Sequence, residues 1–215
     1  MEIYKLVYFD LKGRAEVCRI LFALSGKEYI DERISFDDWP KVKPTTPFLK
    51  APVLEIIDIE SQDVIQIAQS SSIMRFLANK FGFSGKNEIE KAQTDMLYEQ
   101  INDMFENLVF IYKKRNEEEK NADLYLAYNT TIPTSLGLIQ NILDKNIDKS
   151  GYLVGDSLTY ADVALINFYD WLRDYKESIL EKLPLLKQHY EFIISLPAIK
   201  QHIYKYRDAR ISKLF

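Results

Sequence analysis

The chain has 215 residues, of which 47% are hydrophobic and 28% charged, so it can bury a core and is not a disordered polypeptide. Its net charge of −4 argues against a nucleic-acid-binding protein, because no basic stripe is available to neutralise phosphates. It shows neither a secretory signal nor an apolar run of the roughly 18 residues that span a bilayer, and we expect a soluble, cytoplasmic protein.

The first 80 residues predict a small α/β domain with the element order β-α-β-α-β-β-α. Its segments are the strand IYKLVYF, the helix GRAEVCRILFALSG, the strand KEYIDERI, the short helical turn SFDDWPKVK, the hairpin strands APVLEIIDIE and VIQIAQ around SQD, and the helix SSSIMRFLANKFG. Gly26 is a natural stop for the first helix, and Ser70 is expected as the N-cap of the last.

From Asn87 onward the strand signal vanishes and an all-helical domain is predicted. Its first helix is EIEKAQTDMLYEQINDMFENLVFIYKKR, and another follows the charged stretch NEEEKNAD, which is interpreted as a solvated turn. In a third helix, Thr159 and Asp162 predict a capping box, and Leu158 and Val163 a hydrophobic staple. Two short helices open near Pro184 and Pro197. The predicted domains are therefore residues 1–80 and 87–215, joined by a linker at 81–86.

The lone Cys18 cannot form an internal disulfide, and it lies on the apolar face of the first helix. We therefore interpret Cys18 as a core residue rather than a reactive thiol. The two histidines, His189 and His202, have no neighbouring cysteines and no ligand spacing, so no metal site is predicted.

Tyr8 closes the first predicted strand, a few residues before Gly13 and Arg14 open the first helix. As one of 14 tyrosines it has a plain alternative interpretation, a half-buried ring at a strand end. However, the N-terminal amides of the helix and the Arg14 guanidinium favour an anion. A phenol that donates a hydrogen bond there predicts a site for a thiolate or an oxyanion.

Pro52, in KAPVL, marks an edge, a bulge or a cis turn at the start of a strand. A cis bond would leave the backbone of Ala51 to pair with an extended peptide. Trp39, Lys43 and Lys50 lie in the polar connection before it, where the alternative is a loop anchor and two solvated lysines. Together the free backbone and the cations suit a small acidic peptide.

Gln69 and Ser70 precede the last helix of the same domain. Amides at a helix N-terminus can hold a carboxylate, although the alternative is a simple helix cap. In a two-domain chain, a ligand site is expected in the cleft between the domains.

Four groups of motifs together resemble the sigma class of cytosolic glutathione transferases, which includes the glutathione-dependent prostaglandin D synthases. They are YKLVYF with GRAE, DWPKVK with PFLKAPVLE, QSSSIMRFLANKFG, and GYLVGDSLTYADV. The resemblance covers essentially the whole chain. It implies a thioredoxin-like N-terminal domain, an all-helical C-terminal domain that carries a hydrophobic acceptor site, glutathione as co-substrate, and a homodimer.

The resemblance also implies a role for individual residues. Tyr8 would donate a hydrogen bond to the glutathione sulfur, and Arg14 would support the thiolate. The other implied glutathione contacts are Trp39, Lys43 and Lys50 around the glycine carboxylate, Ala51 before the cis-proline Pro52 at the cysteinyl unit, Gln69 and Ser70 at the γ-glutamyl end, and Asp95, which reaches the γ-glutamyl group bound by the other subunit. The implied acceptor-site residues are Phe9, Arg14, Tyr98, Asn102 and Phe105.

Three features depart from the family pattern. Leu49 stands where the family usually has a glycine. The hairpin around Ile56 to Ala68 is longer than usual and lacks the tight Asp-Gly turn. The segment after Asp95, MLYEQINDMFENL, matches no particular specificity pattern.

The resulting hypothesis is conjugation of reduced glutathione to hydrophobic electrophiles, with detoxification as the role. One alternative is a prostaglandin D synthase-type isomerase that uses the same thiolate. Another is a non-catalytic carrier of hydrophobic ligands or a structural protein of the same fold. A redox enzyme is rejected, because it would need a cysteine at the Tyr8 position, whereas Cys18 lies inside the helix.

Overall fold

The computed structural model describes residues 2–146 and 150–206, which form two compact units. The strands are β1 (Glu2–Phe9), β2 (Ile30–Ile34), β3 (Val53–Asp58) and β4 (Val64–Ala68). The helices are α1 (Glu16–Ser25), α2 (Trp39–Val42), α3 (Ser70–Phe81), α4 (Glu88–Tyr112), α5 (Glu117–Leu126), α6 (Ile132–Asp144), α7 (Tyr160–Trp171), α8 (Lys176–Leu180), α9 (Pro184–Ser195) and α10 (Pro197–Lys205). Short 3-10 turns occur at Gly13–Ala15, Lys43–Thr45 and Arg173–Tyr175, and a π-helical segment at Ala127–Thr131 joins α5 to α6.

The first unit is built on a mixed four-stranded sheet with the strand order β2-β1-β3-β4. β1 pairs with β2 in parallel and with β3 antiparallel, and β3 and β4 form the predicted hairpin. Helices α1 and α3 pack against each other and bury their apolar sides. The predicted order of elements, and with it the thioredoxin-like arrangement, is confirmed. Cys18 is buried as expected, and burial raises the pKa of its thiol to about 12.

The second unit is helical and is centred on α7. Ten consecutive residues of α7, from Tyr160 to Tyr169, are buried, which is the pattern of a helix surrounded by others. The predicted capping box at its start is confirmed, since Thr159 and Asp162 bond reciprocally. The position of α7 is therefore fixed by apolar burial along its length and by a complete cap at its N-terminus.

The charged stretch NEEEKNAD is not a solvated turn, and that prediction is wrong. Asn116 accepts hydrogen bonds from the backbone nitrogens of Glu118 and Glu119, and α5 starts at Glu117. Three glutamates in the first turn favour this helix, because the N-terminal end of a helix dipole attracts negative charge.

The last described helix, α10, groups with the first unit and packs on α1. The sequence predicted one helical domain over residues 87–215, so the structure differs here; residues 207–215 lie outside the described part. The first unit therefore comprises residues 2–81 and 197–206, and the second comprises 82–146 and 150–196. Of the described helices, none has the length and apolar character needed to cross a membrane.

Candidate active site

Tyr8 lies near the end of β1 and is 7% exposed. Its hydroxyl oxygen accepts a hydrogen bond from the backbone nitrogen of Arg14 at 3.2 Å. Burial raises the pKa of the phenol, although this hydrogen bond and the charges of Arg14 and Arg19 oppose the effect. The side chain is therefore a neutral phenol, and a hydroxyl that accepts one hydrogen bond can still donate its own hydrogen.

Gly13 allows the backbone to come this close to the Tyr8 hydroxyl. Its φ of +47° lies in the left-handed region that favours glycine. A Cβ atom at this position would overlap the Leu11 side chain and lie 2.7 Å from the Tyr8 hydroxyl. The sequence identified Gly13 only as a helix opener, yet its missing side chain makes room for the phenol.

Phe9 connects the strand end to Trp39. Its ring stacks on Phe36 with centroids 4.5 Å apart, and it meets the Trp39 ring edge-on at 5.2 Å. This packing holds α2, which starts at Trp39, against the end of β1. The structure thus brings two of the predicted site residues, Phe9 and Trp39, into contact.

The strand register places Tyr8 and two further predicted residues at one edge of the sheet. Val7 is opposite Val53, which is opposite Ala68 on the next strand. Tyr8, Pro52 and Gln69 each lie one position beyond these residues, at the same end of adjacent strands. Because neighbouring strands are about 4.8 Å apart, the edge from Tyr8 to Gln69 spans roughly 10 Å.

The bond between Ala51 and Pro52 is cis, as the resemblance implied. Pro52 is buried, whereas Ala51 is half-buried. Since the β3–β4 ladder starts at Val53, the backbone of Ala51 lies beyond its last described pair.

Gln69, not Ser70, is the N-cap of α3, so the predicted cap is wrong by one residue. The Gln69 carbonyl accepts a hydrogen bond from the nitrogen of Ile73 at 3.0 Å, and Ser70 is already helical. Gln69 is exposed and has a φ of 73°, which is unusual for a residue with a side chain. Strained backbone of this kind clusters at ligand-binding sites.

Lys43 and Lys50 are exposed cations in the segment that precedes Pro52. Within the described residues, neither forms an ion pair with a carboxylate. Next to Lys50, Leu49 is 53% exposed and has a φ of 54°. This is the position where the family usually has glycine, and the backbone has kept the conformation that glycine suits.

Asp95 lies in the second unit, on α4, and is half-buried. The hydroxyl of Tyr160, the first residue of α7, donates a hydrogen bond to Asp95 Oδ1 at 2.5 Å. This bond orients the carboxylate. No local pattern in the sequence pointed to Tyr160, because the two residues are 65 positions apart.

Two of the predicted acceptor residues on α4, Tyr98 and Phe105, pack on α7. The Tyr98 ring lies 5.7 Å from the Tyr160 ring, and Phe105 lies 4.6 Å from Trp171. Tyr98 is 7% exposed, whereas Asn102 and Phe105 are half-buried. The three residues share a helix face as expected, and for Tyr98 that face is mostly core.

Three buried residues that contact one another were not predicted from the sequence as site residues: Arg19, which lies beside the Tyr8 ring, Glu16, also on α1, and His202 on α10. Arg19 donates to backbone oxygens of the segment that follows Tyr8. The available signal was a pair of opposite charges, three residues apart, in an otherwise apolar helix.

Comparison with known proteins agrees with this architecture. Residues 102–205 match the family model for the glutathione S-transferase C-terminal domain. The chain is 36% identical to hematopoietic prostaglandin D synthase of Gallus gallus, covering 95% of this chain and 97% of that one. It is 35% identical to a glutathione S-transferase of Plasmodium falciparum, covering 92% and 93%.

Solved structures give the same result. The monomeric glutathione S-transferase Na-GST-3 of the hookworm Necator americanus aligns with a TM-score of 0.80 and 37% identity, covering 94% of this chain and 97% of that one. The sigma class glutathione S-transferase of Fasciola hepatica aligns with a TM-score of 0.83 and 26% identity, covering 100% and 99%. The full-length identity and the shared fold show that this chain belongs to the glutathione S-transferase family.

Proposed function

We propose that this chain conjugates reduced glutathione to hydrophobic electrophiles, with the glutathione thiolate held by the hydroxyl of Tyr8. The observation that carries the proposal is the buried, neutral phenol whose oxygen is held by the Arg14 amide at 3.2 Å. That hydrogen bond leaves the phenolic hydrogen for a second acceptor. Family membership supplies glutathione as the co-substrate.

The energy required matches what a phenol can provide. A thiol like that of free cysteine has a pKa of about 8.5, so only a few per cent is thiolate at neutral pH. Lowering this pKa by roughly two units requires about 2.7 kcal/mol of preference for the thiolate. A hydrogen bond to a charged group contributes about 1.5–3 kcal/mol, so Tyr8 can supply most of it, with Arg14 adding the remainder.

The sheet edge offers a complementary surface for the rest of glutathione. Its cysteinyl unit would pair with the backbone of Ala51, beside the cis bond. The γ-glutamyl carboxylate would meet the start of α3 at Gln69 and Ser70, and the glycine carboxylate would meet Trp39, Lys43 and Lys50. The span of roughly 10 Å from Tyr8 to Gln69 suits a tripeptide.

In the reaction, the thiolate sulfur attacks an electrophilic carbon and forms a carbon–sulfur bond. The electron pair leaves with a departing group or moves into the acceptor's π-system. Phe9, Arg14, Asn102 and Phe105 are the residues we assign to the acceptor, with Tyr98 as support because it is mostly buried. No described residues form a cluster of His, Cys, Asp or Glu that could hold a metal ion.

A second candidate activity is isomerisation of a prostaglandin-type endoperoxide within the sigma class. The similarity to hematopoietic prostaglandin D synthase favours this activity, and the same thiolate would serve it. Product analysis with an endoperoxide substrate separates the two activities, because isomerisation regenerates glutathione and conjugation consumes it.

The test of the main proposal is the rate of glutathione conjugation to 1-chloro-2,4-dinitrobenzene between about pH 5.5 and 8.5. Tyr8→Phe should lose most of its activity at neutral pH and recover as the pH rises. Tyr125→Phe is the matched control, since Tyr125 lies on α5 and is 70% exposed. A Tyr8→Phe enzyme with the wild-type profile would contradict the role of Tyr8, and an inactive wild type would contradict conjugation.

We further propose a cytoplasmic homodimer with a detoxification role, in which Asp95 serves the site of the other subunit. Mixing Tyr8→Phe and Asp95→Ala subunits tests this arrangement. One site of the mixed dimer would then hold both Tyr8 and Asp95, and activity should rise above that of either variant alone. A monomer in sedimentation would exclude the role of Asp95 in a second subunit; the hookworm relative Na-GST-3 is described as monomeric.

A further inference from the structure

Three titratable or charged side chains form a buried triad in the first unit: Glu16, Arg19 and His202. Arg19 has no exposed surface, and the other two are less than 10% exposed. Glu16 Oε2 accepts a hydrogen bond from Arg19 Nη1 at 3.2 Å, and Glu16 Oε1 lies 2.8 Å from His202 Nε2. Buried charges need such partners, so the three side chains depend on one another.

Arg19 holds the segment between β1 and the first 3-10 turn by its backbone carbonyls. Its guanidinium donates to the oxygens of Leu11 at 2.7 Å, Lys12 at 3.3 Å and Phe9 at 3.5 Å. Because the guanidinium is a rigid planar fork, its orientation fixes all three carbonyls together. This segment is therefore shaped by one side chain.

The segment held by Arg19 leads directly into the backbone that contacts the Tyr8 hydroxyl. Gly13 and Arg14 follow Lys12, and the Arg14 amide donates to that hydroxyl. The Arg19 guanidinium carbon itself lies 5.9 Å from the centre of the Tyr8 ring. A rotation of Arg19 would shift this backbone, and with it the direction in which Tyr8 donates.

Glu16 is ionised, so it can accept from both of its partners. Burial raises the pKa of its carboxyl, but the hydrogen bond and charge of His202, together with Arg19 and Lys12, outweigh burial and hold the pKa below its ordinary value. Asp31, which also pairs with Arg33, accepts from Arg19 Nε at 3.1 Å. The guanidinium is thus fixed between two carboxylates, one of which is anchored by α10.

We propose that the buried triad positions the Tyr8 hydroxyl, with His202 orienting Glu16 and Glu16 orienting the guanidinium of Arg19. The three are positioning residues. The inference rests on the proposed function, since it concerns how the thiolate-binding phenol is aimed. On this proposal α10 influences catalysis indirectly, because His202 acts on the α1 residues Glu16 and Arg19.

The experiment compares the pH profile of kcat/KM for 1-chloro-2,4-dinitrobenzene conjugation in three variants. His202→Ala removes the group that orients Glu16, and its profile should shift upward by about half to one pH unit, a loss of roughly three- to ten-fold below the apparent pKa. His202→Gln offers an amide donor in place of the ring nitrogen and should restore the wild-type profile.

His189→Ala is the matched control. His189 is also buried, and its Nε2 lies 2.8 Å from a buried carboxylate, Asp162 Oδ1, but in the second unit. This variant should melt at a lower temperature and keep the wild-type profile. If His202→Ala behaves in the same way, with lower stability and an unshifted profile, the triad is only structural and the proposal is overturned.

A fourth variant covers the case in which His202→Ala does not fold. Arg19→Lys keeps the charge but loses the planar fork, so it should show the same upward shift. A folded Arg19→Lys enzyme with a wild-type profile would likewise overturn the proposal. An inactive wild type, or an unshifted Tyr8→Phe, would instead contradict the proposed function.

Discussion

Helices α1 and α7 start in different ways. α7 starts with a complete capping box, in which Thr159 and Asp162 satisfy each other's backbone nitrogens. α1 follows a 3-10 turn and has Ala15 at its N-cap position, with no side-chain cap. Both starts nevertheless contain a buried carboxylate next to a histidine: Asp162 with His189 in one unit, and Glu16 with His202 in the other.

The difference shows that a buried pair of a carboxylate and a histidine can have two different structural roles. Asp162 also accepts from the nitrogens of Leu153 and Thr159, so its carboxylate stabilises the start of its own helix. Glu16 instead contacts Arg19, whose hydrogen bonds go to the segment after Tyr8. A capping side chain at Lys12, the N-cap position of the 3-10 turn, would compete for the Arg14 amide from which the Tyr8 hydroxyl accepts.

The largest effect on stability is expected from the α7 start. Asp162→Ala should lower the free energy of unfolding by about 3–5 kcal/mol, because it leaves His189 and two backbone nitrogens buried without their acceptor. Urea denaturation measures this loss, with Asp162→Asn as a milder variant. The folded enzyme should keep its pH profile of kcat/KM. A shifted profile would show that the two starts are not functionally distinct.

Gly13→Ala should affect both stability and activity at the α1 start. The added methyl group meets the Tyr8 hydroxyl in a left-handed backbone, so we expect a loss of about 2–3 kcal/mol and most of the conjugation rate. Gly26→Ala is the control: Gly26 also has a positive φ, but nothing lies within 4 Å of the position that its added methyl group would take. It should cost about 1–2 kcal/mol, because its backbone is left-handed, and leave kcat unchanged. Equal activity in the two variants would contradict the role of Gly13.

Acid should weaken the α1 start through Glu16. Its folded-state pKa is lowered, so its contribution to stability is complete above the unfolded pKa of about 4.3 and is lost as the pH falls through the folded value. Urea midpoints measured from neutral pH to about pH 3 should therefore fall less steeply in Glu16→Gln than in the wild type. Parallel curves would show that Glu16 does not contribute to acid unfolding.

The smallest effect is expected at Leu49, a residue with strained backbone three positions before Pro52 in the sequence. Leu49→Gly should raise the free energy of unfolding by up to about 1 kcal/mol, because the left-handed backbone no longer opposes a side chain. The control is Phe48→Gly, because Phe48 is not among the described residues with a positive φ and so has no such backbone strain to relieve. Thermal melting of both variants is the measurement. A destabilised Leu49→Gly would mean that the leucine side chain contributes more than its backbone costs.

Sequence patterns were sufficient where the determining contacts are local. The α7 capping box spans four residues, and the strands and hairpin of the first unit follow from short apolar runs. Tyr8, Pro52 and Gln69 could be placed at the ends of strands from the sequence, because the limits of each strand are marked by local residue patterns. The start of α5 was missed because three adjacent glutamates look like a solvated run, although Asn116 is a good cap.

Contacts between distant residues could not be read in this way. Nothing near Asp95 indicates Tyr160, and nothing near Glu16 indicates His202, which is 186 positions away. The cap of α3 was misplaced for a different reason. Glutamine in a left-handed conformation is uncommon, so the serine beside it was the better guess on local preference.

The contact between Glu16 and His202 has a consequence for synthesis. A nascent chain can pair β1 with its neighbouring strands early, but this contact cannot form until residue 202 has left the ribosome. Domains generally fold as units during synthesis, and here the first unit is completed by α10, which is translated after the described part of the second unit. A chain that stops short of α10 would therefore form the sheet but lack the His202 contact that orients Glu16 and, through it, Arg19.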